Sequence, residues 1–121
     1  VACQRILQLA QEQTIDLAWS FVLDYENSLN PFPERREKIE ILSQLARQTI
    51  EFSENLLQLA ERFEQTGIKN KDAAHLACAE MLACDFFVTC DDKLVKIASQ
   101  LNLNIKVCNP IEFIYPTGVH Q

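Results

Sequence analysis

The stretch that decides the fold is Lys69 to Asp92, KNKDAAHLACAEMLACDFFVTCDD. Asp72 opens an alanine-rich run that predicts a helix to about Ala83. Phe86-Phe87-Val88-Thr89 is short, apolar and β-branched, the pattern of a buried strand. Asp91 and Asp92 follow at once. In a parallel α/β unit the helix runs antiparallel to the strand, so the helix N-terminus lies beside the strand's C-terminal end. Asp72 and Asp91 are therefore expected to face one crevice at that edge, where open α/β sheets place their sites. Carboxylates gathered in a crevice repel one another unless a cation joins them, and a hard divalent ion such as Mg²⁺ suits oxygen ligands.

Working outward, helices and strands alternate. Val1 to about Gln13 carries a helical stripe of Ile6, Leu7, Leu9 and Ala10. Residues 14–20 read as a strand, and Phe21 to about Leu29 as a helix that stops near Asn30-Pro31, because the residue before proline is biased out of the helical region. Pro33 suits the first turn of a helix from about Glu34 to Arg47, and Thr49 to Phe52 as a short strand follows. Ser53 can cap a helix ending near Gly67. Asn70 can cap the Asp72 helix, and Asp91 or Asp92 one running from Lys93 to about Leu101. Residues 105–107 form a last strand, and Asn109-Pro110 starts a terminal helical turn. This order predicts an α/β fold with a parallel sheet covered by helices, in a single domain spanning 1–121.

Composition narrows the function. Eleven Lys and Arg against seventeen Asp and Glu leave a formal charge of −6, which disfavours broad electrostatic capture of nucleic acid. Bound metal and local cations can reverse the sign of a cleft, and Lys69, Lys71, Lys93 and Lys96 flank the expected crevice; solvated helix ends are the plainer reading of these lysines. Five cysteines, with no C-x-x-C pair and only His75 and His120 beside them, do not suggest a structural zinc site. Cys78, Cys84 and Cys90 read as small buried hydrophobes in a reducing compartment. No apolar run reaches the length of a membrane span, and no secretory signal pattern opens the chain, so the expectation is a cytoplasmic protein.

A third acidic position completes the expected site. The helix after Ser20 carries Asp24 and Glu26, and its start lies on the same sheet edge by the same direction argument. Glu26 is the candidate third ligand and Asp24 the alternate. Each acid also has a structural explanation: Asp72 as a partner of the helix dipole, Asp91 and Asp92 as caps, Asp24 and Glu26 as solvated residues.

D-A-A-H-L-A at Asp72 to Ala77, T-C-D-D at Thr89 to Asp92 and N-P-I-E-F at Asn109 to Phe113 together resemble the PIN domain, and most closely the VapC-like bacterial toxins. The resemblance extends over most of the chain, with residues 30–65 only generically similar. It implies a three-layer α/β/α sandwich and Mg²⁺- or Mn²⁺-dependent endonucleolytic cleavage of RNA. It carries ligand roles to Glu26, Asp72 and Asp91, sets Thr89 beside them, and leaves Asp92 as a lesser candidate. His75 is expected to be a packed or hydrogen-bonded helix residue. RNA as substrate, an antitoxin segment inserted in the acidic groove and homodimers are the partners it implies. In the family, a first, central strand ends in an aspartate that leads the metal site. The chain starts at Val1, in the following helix, and Asp16 is misplaced for that role, so the expectation is an N-terminally incomplete domain with an open slot between two strands.

Two other classes fit part of the pattern. A PIN-like interaction module without catalysis is favoured by the missing first aspartate. A phosphoacceptor receiver domain needs a lysine after its last strand, whereas Lys106 falls inside the expected strand.

Overall fold

A computed structural model describes residues 2–115. Val1 and His120, both part of the sequence reading, lie outside the described residues. The element order is α1 (Ala2–Gln11), β1 (Leu17–Ser20), α2 (Phe21–Ser28), α3 (Pro33–Ser43), β2 (Ala46–Ile50), α4 (Glu54–Gln65), α5 (Asn70–Met81), β3 (Phe86–Val88), α6 (Asp92–Ser99), β4 (Lys106–Cys108) and α7 (Pro110–Ile114). The chain is thus mixed α/β, with seven helices and four strands among the described residues. None of the helices there is long and apolar enough to cross a membrane.

The strands pair in parallel, but as two separate two-stranded sheets. In the first, Leu17 aligns with Ala46 and Ser20 with Ile50, with an irregularity between Leu17 and Ala18. In the second, Phe86 aligns with Lys106 and Val88 with Cys108. Each sheet is joined through helices, α2 and α3 in one and α6 in the other, as parallel pairing requires. Helix α5 packs against both β1 and β3 and spans the two pairs. Each strand is hydrogen-bonded on one side alone among the described residues. Phe86 in β3 is half exposed despite its strand position, with its ring edge-on to Phe113 of α7.

The core lies under α4 and α5. Leu56, Ala60 and Phe63 recur at helical spacing on the buried stripe of α4. They meet Ala73, Leu76, Ala77 and Cys78 of α5, with Ile68, Leu94 and Ile105 completing the cluster. Ala73 and Ala77 are fully buried; their small side chains let the two helices pack closely. Ser53 caps α4 by accepting a hydrogen bond from Leu56 N, as its position suggests. The helix stops beside Gly67, whose φ of +102° is the left-handed conformation glycine tolerates.

Several boundaries differ from the sequence reading. The first strand begins at Leu17 because the end of α1 takes up the preceding residues: Gln13 adopts φ +62°, and Thr14 N and Ile15 N both turn back to Leu9 O. Helix α3 ends at Ser43, not Arg47, in tight turns from Gln44 N to Ile41 O and Leu45 N to Leu42 O, which frees Ala46 to start β2. Helix α5 ends at Met81 through a six-residue closing bond, Cys84 N to Ala79 O, around Ala83 at φ +55°. Its N-cap is Lys69, which makes no side-chain capping bond, and Asn70 is its first helical residue. The last two strands are Phe86–Val88, one residue shorter at its C-terminal end than expected, and Lys106–Cys108, one residue later at both ends.

Candidate metal and phosphate site

Asp72 sits in the first turn of α5 and Asp91 at the start of α6, immediately after β3. They line one shallow recess with Gly67, Ile68, Lys69, Lys93, Leu94 and Ile97. The geometry of the unit explains the meeting. Strand β3 delivers Asp91 at its C-terminal end, and α5, which precedes that strand in the chain, begins beside the same end. Lys69 and Lys93 enter from the two flanking positions. Of the four lysines singled out in the sequence, these two line the recess, while Lys71 and Lys96 do not.

Asp91 is held rigidly. Its Oδ1 accepts hydrogen bonds from Lys93 N at 3.0 Å and Leu94 N at 3.2 Å, so it is the N-cap of α6. Thr89 Oγ1 accepts from Asp91 N at 3.1 Å, and Thr89 N donates to Cys108 O at 2.9 Å. Thr89 therefore fixes the turn that presents Asp91. Asp92 is the first residue of α6 and is exposed outside the recess. Capping occupies Oδ1 of Asp91, and no bond engages its Oδ2 among the described residues. The cap and a cation ligand can thus coexist on one carboxylate.

The third expected acid stands elsewhere. Glu26 Oε1 is 2.9 Å from His75 Nε2, a half-buried contact between α2 and α5. With Glu26 ionised, Nε2 is the donor. Asp24, the alternate, accepts from Trp19 Nε1 at 2.8 Å on the surface. The structure therefore joins Asp72 with Asp91 and ties Glu26 to His75, one turn along α5 from Asp72. Among the described residues no group of three or more His, Cys, Asp and Glu is gathered as a metal cage.

The partners of Glu26 and Asp24 are absent from the sequence reading. Trp19 and Asp24 stand five positions apart across a strand-to-helix junction, a spacing that gives a weak local signal. Glu26 and His75 are 49 positions apart, and nothing in the sequence pattern connects them beyond the direction argument that places both helices at one edge.

No protein-family model, curated protein or solved structure matches the chain. The functional reading accordingly rests on the residues and their arrangement.

Burial pushes the Cys78 thiol above its ordinary range, opposed in part by a hydrogen bond with Ser20. Burial also raises Cys84 and Cys108, aided by the nearby carboxylates of Asp85 and Glu112 respectively. A raised thiol is a poor nucleophile at neutral pH because little thiolate is present. Cys90 is exposed, between Thr89 and Asp91, and corrects the expectation of a buried hydrophobe there. A larger cavity of about 200 Å³ lies at the other end of the first sheet, lined by Gln11, Gln13, Gln44 and Arg47 among others. Arg47 is already engaged there by Gln13 and Asp16.

Proposed function

We propose that the chain is a PIN-like, VapC-like ribonuclease domain that cleaves RNA with Mg²⁺ or Mn²⁺ held by Asp72 and Asp91. The observation that carries the reading is their shared recess, lined by two lysines as well. Two carboxylates fit a Mg²⁺ ion, which keeps several waters and is commonly held by one or two carboxylates together with substrate phosphate. When bound, such an ion supplies an activated water and neutralises charge on the leaving oxygen. The protein's own groups do the rest. Asp72 and Asp91 fix the cation, Thr89 and the α6 backbone fix Asp91, and Lys69 and Lys93 contact phosphate oxygens. The three-layer sandwich belongs to this proposal: a further parallel strand hydrogen-bonded to both β1 and β3 would join the two pairs into one sheet, with α5 across it. In the same reading, Glu26 joins the site by leaving His75. A toxin pair would silence it with an antitoxin arginine in the cation's place.

A second reading has an observation of its own. Glu26 is committed to His75, which favours a PIN-like interaction module that binds metal or RNA without cleaving it. Incubation of the full chain with a mixed-sequence single-stranded RNA separates the two. The nuclease reading predicts fragments that accumulate with Mg²⁺ or Mn²⁺ and stop with EDTA. Saturable metal binding with intact RNA would establish the non-catalytic module instead.

A further inference from the structure

We propose that the Glu26–His75 contact is an autoinhibitory latch, in which His75 keeps a third carboxylate away from the Asp72–Asp91 recess until a divalent cation draws it in. This inference rests on the reading of that recess as a cation site and adds its regulation. Glu26 stands on α2 and His75 on α5, 49 positions apart in the chain, with Oε1 2.9 Å from Nε2. The imidazole is 18% exposed and the carboxylate 32%, so the bond is sheltered while Glu26 keeps an open side. Helix α2 itself carries no Lys or Arg, and no Lys or Arg pairs with Glu26 among the described residues. Asp91 is pinned by the backbone of Lys93 and Leu94, whereas the Glu26 carboxylate is held by His75 alone among the described residues.

The course of α2 along α5 sets the latch beside the recess. Ser20, at the end of β1, hydrogen-bonds Cys78, and Glu26 meets His75. Between those two contacts α2 advances along α5 toward Asp72. Asp72 and His75 are three positions apart on that helix, so their Cβ atoms are neighbours about 5–6 Å apart. Side chains of a helix lean toward its N-terminus, which turns the imidazole toward the turn that holds Asp72. A rotamer change in Glu26 then carries its carboxylate from one neighbour to the other with the backbone in place. Electrostatics decides which neighbour it takes. Without a cation, Glu26 beside Asp72 and Asp91 adds a third like charge, and the His75 N–H is the better partner. With a divalent cation in the recess, a third carboxylate becomes an attractive oxygen ligand. His75 and the cation therefore compete for Glu26, and the latched state lowers the apparent affinity of the site.

Mn²⁺ binding to the full chain, read from the free-ion electron paramagnetic resonance signal, tests the latch without RNA. His75→Phe fills the place of the imidazole and gives up its donor, so binding should tighten about tenfold, the scale of a hydrogen bond to a charged group. Glu26→Gln keeps an acceptor for His75 but removes the third charge, so binding should weaken. In the double variant the phenylalanine should add nothing to Glu26→Gln, because its gain acts through Glu26. A merely structural His75 predicts that His75→Phe binds no better than wild type, and a simple charge effect of the imidazole predicts the same tightening with or without Glu26. One measurement needs no folded variant. In the wild-type chain the His75 Nε2 proton, shielded from solvent exchange while it donates to Glu26, should lose that protection in the nuclear magnetic resonance spectrum as Mg²⁺ saturates. Wild-type binding left untightened by His75→Phe, tightening that survives Glu26→Gln, or Nε2 protection that persists at saturating Mg²⁺ overturns the latch and leaves the Asp72–Asp91 site standing. Absence of binding in wild type and variants alike overturns the site and the latch together.

Discussion

Asp72→Asn and Asp91→Asn should each lower metal-dependent RNA cleavage by about 100-fold or more, because even residues that merely support metal ligands contribute 10–100-fold. Each substitution keeps the size of the side chain and removes one negative charge from the recess that the two residues share. Stability should respond differently. Asparagine caps helices as well as aspartate does, so Asp91→Asn retains the bonds to Lys93 N and Leu94 N. Its metal-free stability should stay within about 0.5 kcal/mol of wild type, the usual range for exposed changes. Asp91→Ala loses the cap as well and should cost about 1 kcal/mol more. Asp72→Asn gives up a favourable interaction with the α5 dipole, about 0.3–1 kcal/mol, partly offset by relief of repulsion with Asp91. Thermal melts beside cleavage rates separate the roles. Were Asp91→Asn to cleave like wild type while Asp91→Ala only destabilised, the carboxylate would be a cap and nothing more.

The largest effect on the fold itself is expected at Leu76. Its side chain is completely buried, one turn after Asp72 on the helix that spans both sheets. Truncation to alanine removes the transfer free energy of the lost carbons and leaves a cavity in the core it shares with Leu56, Phe63 and Ala77. The cost should be about 3–5 kcal/mol. That is a large part of the roughly 5–15 kcal/mol that stabilises a typical domain, and the melting temperature should fall by about 10 °C or more. Leu57→Ala is the control. Leu57 is 42% exposed on the neighbouring helix α4, and its truncation should cost about 1 kcal/mol or less. Equal shifts for the two variants would mean that the α4–α5 core is not where the stability resides.

The alternation of helices and parallel strands was legible because each element announces itself locally. Leu56, Ala60 and Phe63 repeat at helical spacing, and Phe86 to Val88 is a short apolar run closed by polar residues. Element ends were less legible because two helices close on residues that give no warning. Gln13 and Ala83 take the left-handed conformation usually signalled by glycine, so their helices were read two residues too long. The one such end that glycine marks, Gly67, was placed correctly.

The meeting of Asp72 and Asp91 was legible for a topological reason. It follows from the direction of a helix and the strand after it, and needs no knowledge of side-chain packing. The Glu26–His75 contact was not, since it depends on how far two side chains reach between α2 and α5. The direction argument set Glu26 beside α5 without revealing which side chain would capture it. Cys90 shows the same limit. Composition argues for buried cysteines as a class, but exposure is decided by the turn after β3, where Cys90 lies outside the fold's core between two residues that face the recess and its turn.

The most direct test of the central claim is a titration of the full chain with Mn²⁺, followed by the loss of the free-ion electron paramagnetic resonance signal. Binding should saturate, should be displaced by Mg²⁺, and should disappear in the Asp72→Asn, Asp91→Asn double variant while the far-ultraviolet circular dichroism stays that of wild type. Absence of saturable binding at millimolar Mn²⁺, or binding undiminished in the double variant, would contradict the assignment of this recess as a divalent-cation site.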